Sequence, residues 1–284
     1  MNRRRAVAIL ALIPTFGSLA ARTSPADEPK TAAERPRSVD SKPADPSTED
    51  VENPPPISDF LIIPLRVHLL SAPGLDDLDC KLEEADITRI LGKVNRVWSV
   101  AGIHFALESC RREPAARLDR FAEIRERGAA IPLNAYALLA PDESRATEGQ
   151  NVYYIQSFSV NGVFLGNRTS FVQATAKLRP VEGGIDEPLP RVTAHELGHA
   201  LGLPHRQNRT NLLASGTTGT RLNRAEVEKA RANAARMRGV MTHARLVEEI
   251  AAAEARGDAA VVNELKKRLE AVRASAAHKT SSGS

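Results

Sequence analysis

Cysteine is nearly absent from this 284-residue chain, which carries only Cys80 and Cys110. Two thiols exclude a disulfide-dense scaffold and any four-thiolate metal site. Aromatic residues make up 4% of the chain, too few for the stacking platforms on which single-stranded nucleic acid is held. No apolar run reaches the roughly 20 residues that a membrane-spanning helix requires. The longest one, residues 6–20, follows Arg3, Arg4 and Arg5 and ends with Ser18 and Ala20 in the spacing of a small-residue cleavage site. Positive n-region, short apolar stretch and processing signal together predict a secretory signal peptide over residues 1–21 and an exported protein, periplasmic or secreted. An uncleaved anchor is the other reading of the same segment. Its removal takes the formal charge from +4 to +1, because three arginines leave and no acid does. The basic balance is thus largely a targeting feature. We expect no nucleic-acid partner and, once the signal is cleaved, no stable membrane association.

Residues 22–56 hold eight prolines, charges of both signs and no aromatic side chain. Such a segment cannot bury enough apolar surface to offset its ordering entropy, so a disordered linker or propeptide is expected there. Globular patterning starts near residue 57. Leu61, Ile63, Leu65, Val67 and Leu69 alternate with more polar residues as in a half-buried strand, and Pro64 inside it predicts an edge position or a bulge. Ile87, Ile90, Leu91, Val94, Val97 and Trp98 recur at helical spacing up to Gly102; Ile103, Phe105 and Leu107 then alternate again. Strand, helix, strand is a crossover that builds a parallel sheet. It brings Cys80 and Cys110 to one edge of that sheet, so an exported protein is expected to join them in a disulfide. Val152–Ile155, Gly162–Gly166 and Ser170–Gln173 read as further strands.

The densest chemistry lies in residues 195–205, His-Glu-Leu-Gly-His-Ala-Leu-Gly-Leu-Pro-His. His195 and His199 are one helical turn apart, about 6 Å along the axis, so both imidazoles leave the same face. Gly202 tolerates the left-handed conformation that ends a helix, Pro204 prevents its resumption, and the turn returns His205 toward the other two. Three neutral imidazoles leave a fourth position of zinc open, the arrangement of a catalytic rather than a structural site. Glu196 adjoins the first ligand and has the chemistry of a general base toward water.

This segment resembles the motif of the metzincin zinc metalloproteases. The resemblance implies one zinc ion on His195, His199 and His205, with Glu196 as catalytic base. It also implies an α/β (α+β) fold: a twisted, mostly parallel sheet with an antiparallel edge strand, residues 162–166, packed on helices that include the zinc-binding one. The methionine that such proteins carry in a turn beneath the metal is replaced here; Leu213 stands in the corresponding place, a volume-conserving exchange. All three tyrosines precede the motif, so a tyrosine ligand or oxyanion donor soon after it is missing.

Downstream, Asn223 and Glu226 have capping-box spacing, with Leu222 and Val227 as the staple, so a helix should start at Arg224. Leu246, Val247, Ile250, then Gly257-Asp258, then Val261, Val262, Leu265, Leu269 and Val272 spell two amphipathic helices joined by a tight turn. The expected organisation is a signal peptide (1–21), a linker or propeptide (22–56), a protease domain (57–241), a helical hairpin (242–274) and a disordered tail (275–284). The expected function is hydrolysis of polypeptide by a zinc-dependent endopeptidase. The alternative is a catalytically silent, zinc-stabilised module that recruits a protein partner through its hairpin.

Overall fold

The computed structural model describes residues 49–128, 130–181, 185–216 and 218–277. The signal peptide, most of the linker and residues 278–284 of the tail lie outside the described residues. The last part of the supposed linker is packed: Val51 N–H donates to Leu222 O at 2.8 Å, Arg224 N–H donates to Glu49 O at 3.0 Å, and Asp50 bridges to Asn223.

The fold is α/β, a mostly parallel sheet with an antiparallel edge strand, covered by helices. Its strands are β1 (Leu61–Ser71), β2 (Ile103–Pro114), β3 (Gln150–Ile155), β4 (Gly162–Phe164) and β5 (Thr169–Gln173), in spatial order β2-β1-β3-β5-β4. The pairs β1–β2, β1–β3 and β3–β5 are parallel and β4–β5 is antiparallel. A two-residue strand β6 (Met241–Thr242) adds antiparallel to the start of β1. The helices are α1 (Glu84–Trp98), α2 (Leu118–Glu126), α3 (Pro188–Ala200), α4 (Arg224–Ala234), α5 (His243–Ala255) and α6 (Ala259–Ala276).

Alternation along the strands divides the core. Leu61, Ile63, Leu65, Val67 and Leu69, with Phe105, Val152 and Tyr154, face α1 and α3 in the largest apolar cluster. The opposite phase is also covered. Leu70, Tyr153, Ile155 and Phe171 meet Phe121 of α2 and Tyr136 and Leu139 of a 3-10 turn. Phe60, Ile62 and Ala106 meet Leu246, Ile250, Leu269 and Val272 of the hairpin. Strand β1 is therefore buried on both faces, not half-buried as its polar residues suggested. His68 is fully buried between Glu113 (2.6 Å from Nδ1) and Asn151 (3.3 Å from Nε2) and stacks on Tyr153. Pro64 is not on an edge strand. Pairing with β6 stops at Ile62 and pairing with β3 starts at Leu65, so its missing N–H falls in a gap of the ladder; the register with β2 shifts just after it.

The expected disulfide is absent: both cysteines are free thiols, Cys80 buried and Cys110 half-buried. Cys80 N–H donates to Leu70 O, whereas Cys110 is in register with Val67. Three residues along β1 offset the two by about 10 Å, beyond disulfide reach. On the sheet's outer strand β2 a side chain takes up the backbone of one residue: the Asn95 amide donates to Phe105 O at 3.0 Å and accepts from Phe105 N–H at 2.8 Å, as a neighbouring strand would. The amphipathic hairpin packs on its own sheet, and His104 of β2 bonds Ser275 of α6 through Nδ1 at 2.9 Å. Because Leu246 is fully buried at this junction, Leu246→Ala is expected to cost ~2–4 kcal/mol in urea denaturation.

Candidate metal centre and cleft

Helix α3 begins at Pro188, a residue suited to the first turn, and ends in a complete Schellman motif. Gly202 N–H donates to His199 O (2.9 Å) and Leu203 N–H to Gly198 O (3.0 Å), with Gly202 left-handed at φ +80°. A Cβ at Gly202 would also lie 2.5 Å from Asn233 Nδ2, whose amide caps Leu201 O at 2.7 Å. The turn aims Leu203 O back at the helix, where it accepts from His199 Nδ1 at 2.8 Å. Further on, Leu212 O accepts from His195 Nδ1 at 2.8 Å.

These two carbonyls settle the tautomers. A carbonyl only accepts, so each Nδ1 carries the proton and each Nε2 presents a bare lone pair. Yet His195 Nε2 and His199 Nε2 lie 3.0 Å apart, and His199 Nε2 and His205 Nε2 lie 3.2 Å apart. In the neutral rings no hydrogen joins the first pair, so lone pairs converge on a common point. The three residues form the one group of metal-ligating side chains found among the described residues, with ligand atoms within 4.8 Å of one another. Burial pushes the His195 pKa down to about 4, helped by the neighbouring His199, and lowers that of His199. The rings of His195 and His199 are thus neutral at pH 7, as metal ligation requires. This donor set fits a borderline-soft divalent ion such as zinc, with His195, His199 and His205 as its holders.

Glu196 is buried, 5% exposed, beneath β4. Burial raises its carboxyl pKa to about 8, against a lowering hydrogen bond from the Phe164 backbone. Leu213 packs against α3 at Gly198, between the two helical histidines in sequence: it is fully buried, and its two methyls would lie 3.2 and 3.3 Å from a Cβ placed on Gly198. No tyrosine lines the cleft; Tyr154 instead bonds Thr193 at 2.8 Å inside the core. His68 and His104, on the neighbouring strands β1 and β2, form no further cluster, each having its own partner.

Sequence reasoning assigned Glu226 only a capping role and overlooked Arg191. The Glu226 carboxylate, 1% exposed, closes the expected box with Asn223 N–H at 3.0 Å. It also accepts from Arg206 Nε (2.7 Å) and Asn211 Nδ2 (2.8 Å), fastening the loop that carries Leu212 and Leu213. Arg191, fully buried, donates to Arg179 O at 3.0 Å and to Thr218 O at 2.6 Å, joining two loops beside the cleft. A guanidinium between Pro190 and Val192, in an otherwise apolar first turn, was the available signal.

The cavity over the histidines measures about 770 Å³ and has apolar walls that include Leu133, Val163, Leu178 and Val192. On its rim β4 is open. Gln173 N–H donates to Asn161 O and Leu165 N–H to Thr169 O, so the odd residues face β5. The backbone groups of Gly162 and Phe164 therefore point to the side where no described strand pairs, and there the Phe164 N–H donates to the Glu196 carboxyl.

No family model and no curated protein sequence matches the chain. Among solved structures it is similar to archaemetzincin from Methanopyrus kandleri, at 16% identity over 64% of this chain and 99% of that one, with a TM-score of 0.41. It is also similar to metalloproteinase-II from Bacteroides fragilis, at 13% identity over 67% of this chain and 58% of that one (TM-score 0.35). A chain from a chaperone-substrate complex matches at 14% identity over 62% and 35% (TM-score 0.36). At these scores the function is to be sought in the chain's own geometry.

Two outcomes follow from that geometry. Leu213→Met should cost less than ~1.5 kcal/mol, and Leu213→Ala ~2–4 kcal/mol with weakened zinc retention, read by denaturation and metal analysis. In metal-free protein, the folded Glu196 pKa of about 8 exceeds the ordinary carboxyl value of 4.5, so the folded state binds the extra proton between them and stability falls as pH rises through that window. Glu196→Gln removes this loss, so the stability difference between variant and wild type should widen from about pH 4.5 to 8 in paired thermal scans.

Proposed function

We propose that the chain is an exported zinc-dependent endopeptidase acting on extended polypeptide, with its catalytic unit over residues 57–241 and the hairpin of residues 242–274 as an appendage. The observation that carries the reading is the pair of Nδ1–carbonyl bonds at His195 and His199. They leave bare Nε2 atoms converging with His205, in a cleft that also holds a buried carboxylate and an unpaired strand edge. Export rests on the N-terminal segment alone, with its three arginines and short apolar stretch.

When bound, zinc supplies Lewis acidity, acidifying water and polarising a carbonyl. The chain's own residues do the rest. His195, His199 and His205 would hold the ion through their Nε2 atoms. Glu196, as carboxylate, takes the proton of the attacking water while the new C–O bond forms at the peptide carbon. It then gives that proton to the nitrogen as the C–N bond breaks, so the products are one carboxyl and one amine terminus. The outward N–H and C=O of Gly162 and the outward C=O of Phe164 offer an extended chain the pairing that a neighbouring strand would make, and the apolar walls take its side chains. The rival reading, a silent zinc module with a recruiting hairpin, loses its main motive because Leu246, Ile250, Leu269 and Val272 are spent on the hairpin's own sheet.

The test is digestion of an unfolded protein by the purified full-length chain with and without a chelator. Wild type should cleave and the chelator should abolish cleavage. Glu196→Gln should keep one zinc and lose at least ~10³-fold in turnover, whereas His199→Ala should lose both metal and activity. Undiminished activity of Glu196→Gln would sink the mechanism.

A further inference from the structure

Strand β4 stands unusually close to Glu196. Gly162 lies outside the left-handed region, so its backbone conformation does not call for glycine. Space does. A Cβ built at Gly162 would sit 2.6 Å from Glu196 Oε1, 2.8 Å from Glu196 Cγ and 2.8 Å from Val192 Cγ1. Real Cβ atoms do not tolerate such distances, so something must move. The strand has little freedom to do so: Gly162 is in register with Val172, and both flanking residues, Asn161 and Leu165, are bonded to β5. Val192 is buried in the α3 core. The part left to yield is the Glu196 side chain, which is 5% exposed and already enclosed.

We propose that Gly162 is a positioning residue for Glu196: its missing Cβ forms the seat in which the carboxylate lies, and any larger side chain there displaces that carboxylate. The inference rests on the peptidase reading for its catalytic consequence, but not for the seat itself. The same residue turns its backbone N–H and C=O outward toward the open edge. One glycine thereby links the place where an extended chain would pair to the place of the group that would act on it.

The deciding experiment is a double-mutant cycle on the metal-free, full-length protein, with wild type, Gly162→Ala, Glu196→Ala and the double variant compared by thermal unfolding. Gly162→Ala should lower Tm by ~3–10 °C when Glu196 is present and by less than half as much when residue 196 is alanine. Equal losses in both backgrounds would overturn the proposal and leave Gly162 as an ordinary packing position. Should Gly162→Ala fail to fold alone, folding of the double variant supports the seat, and failure of both overturns it. On the zinc-loaded protein, Gly162→Ala should lose between about tenfold and a hundredfold in kcat, with KM and zinc content within about twofold. An unchanged kcat beside a coupled cycle would overturn the positioning role. A wild type that cleaves nothing would count against the peptidase reading, while the thermal cycle would still decide whether Gly162 seats Glu196.

Discussion

Two backbone carbonyls, Leu203 O and Leu212 O, decide which nitrogen of His199 and of His195 faces the cleft. Both belong to the chain after α3, not to the helix that carries the rings. The metal-facing chemistry of α3 is therefore only as well defined as the path of residues 201–214. That path has three supports. The Schellman turn at Gly202 sets its start, Leu213 packed against Gly198 sets its depth, and the Glu226 carboxylate, bonded to Arg206 and Asn211, ties its far half to α4. Glu226 is nearly fully buried, and its charge is compensated by a guanidinium, an amide and a backbone N–H. Loss of one partner would strand the others, which makes this cluster a unit and not a set of separable bonds.

What could be seen in the sequence was local. The spacing of His195, Glu196, His199, Gly202 and His205 encodes a helix face and a turn within eleven residues, and short-range geometry suffices to read it. Asn223 with Glu226 is likewise a one-turn pattern, and its capping box is present as expected. What could not be seen depends on pairing between distant segments. Glu226 reaches a loop 15 to 20 residues upstream, and nothing in its own neighbourhood marks that reach. The polar phase of β1 looked solvent-facing because a buried histidine, satisfied by Glu113 and Asn151 from two other strands, has the same letter as an exposed one. The cysteines failed for a related reason: the topology brought their segments to one end of the sheet, but the register along β1, which topology does not fix, set them apart.

The hairpin shows how the sheet is closed on its second face. An amphipathic pair of helices in sequence does not state where its apolar side goes. Here the answer lies in β1, β2 and the residue before β1: Phe60, Ile62 and Ala106 would be open to water without Leu246, Ile250, Leu269 and Val272. A strand apolar in both phases needs cover on both faces, and this chain divides the second cover between the hairpin and the α2 region.

The two outer strands of the sheet end differently. At β2 the Asn95 amide takes up the backbone of Phe105 as a neighbouring strand would; at β4 the outward groups of Gly162 and Phe164 meet no described strand. An open edge is a template on which any extended chain can build, including another copy of the same protein. A sheet templating at both margins can propagate into a fibre, because each added copy offers a fresh margin of its own. A sheet closed at one margin terminates after a single pairing. Asn95 occupies the outward backbone of Phe105 and so removes one rung from the β2 template, whereas the β4 margin beside the cleft keeps the outward groups of Gly162 for a pairing chain.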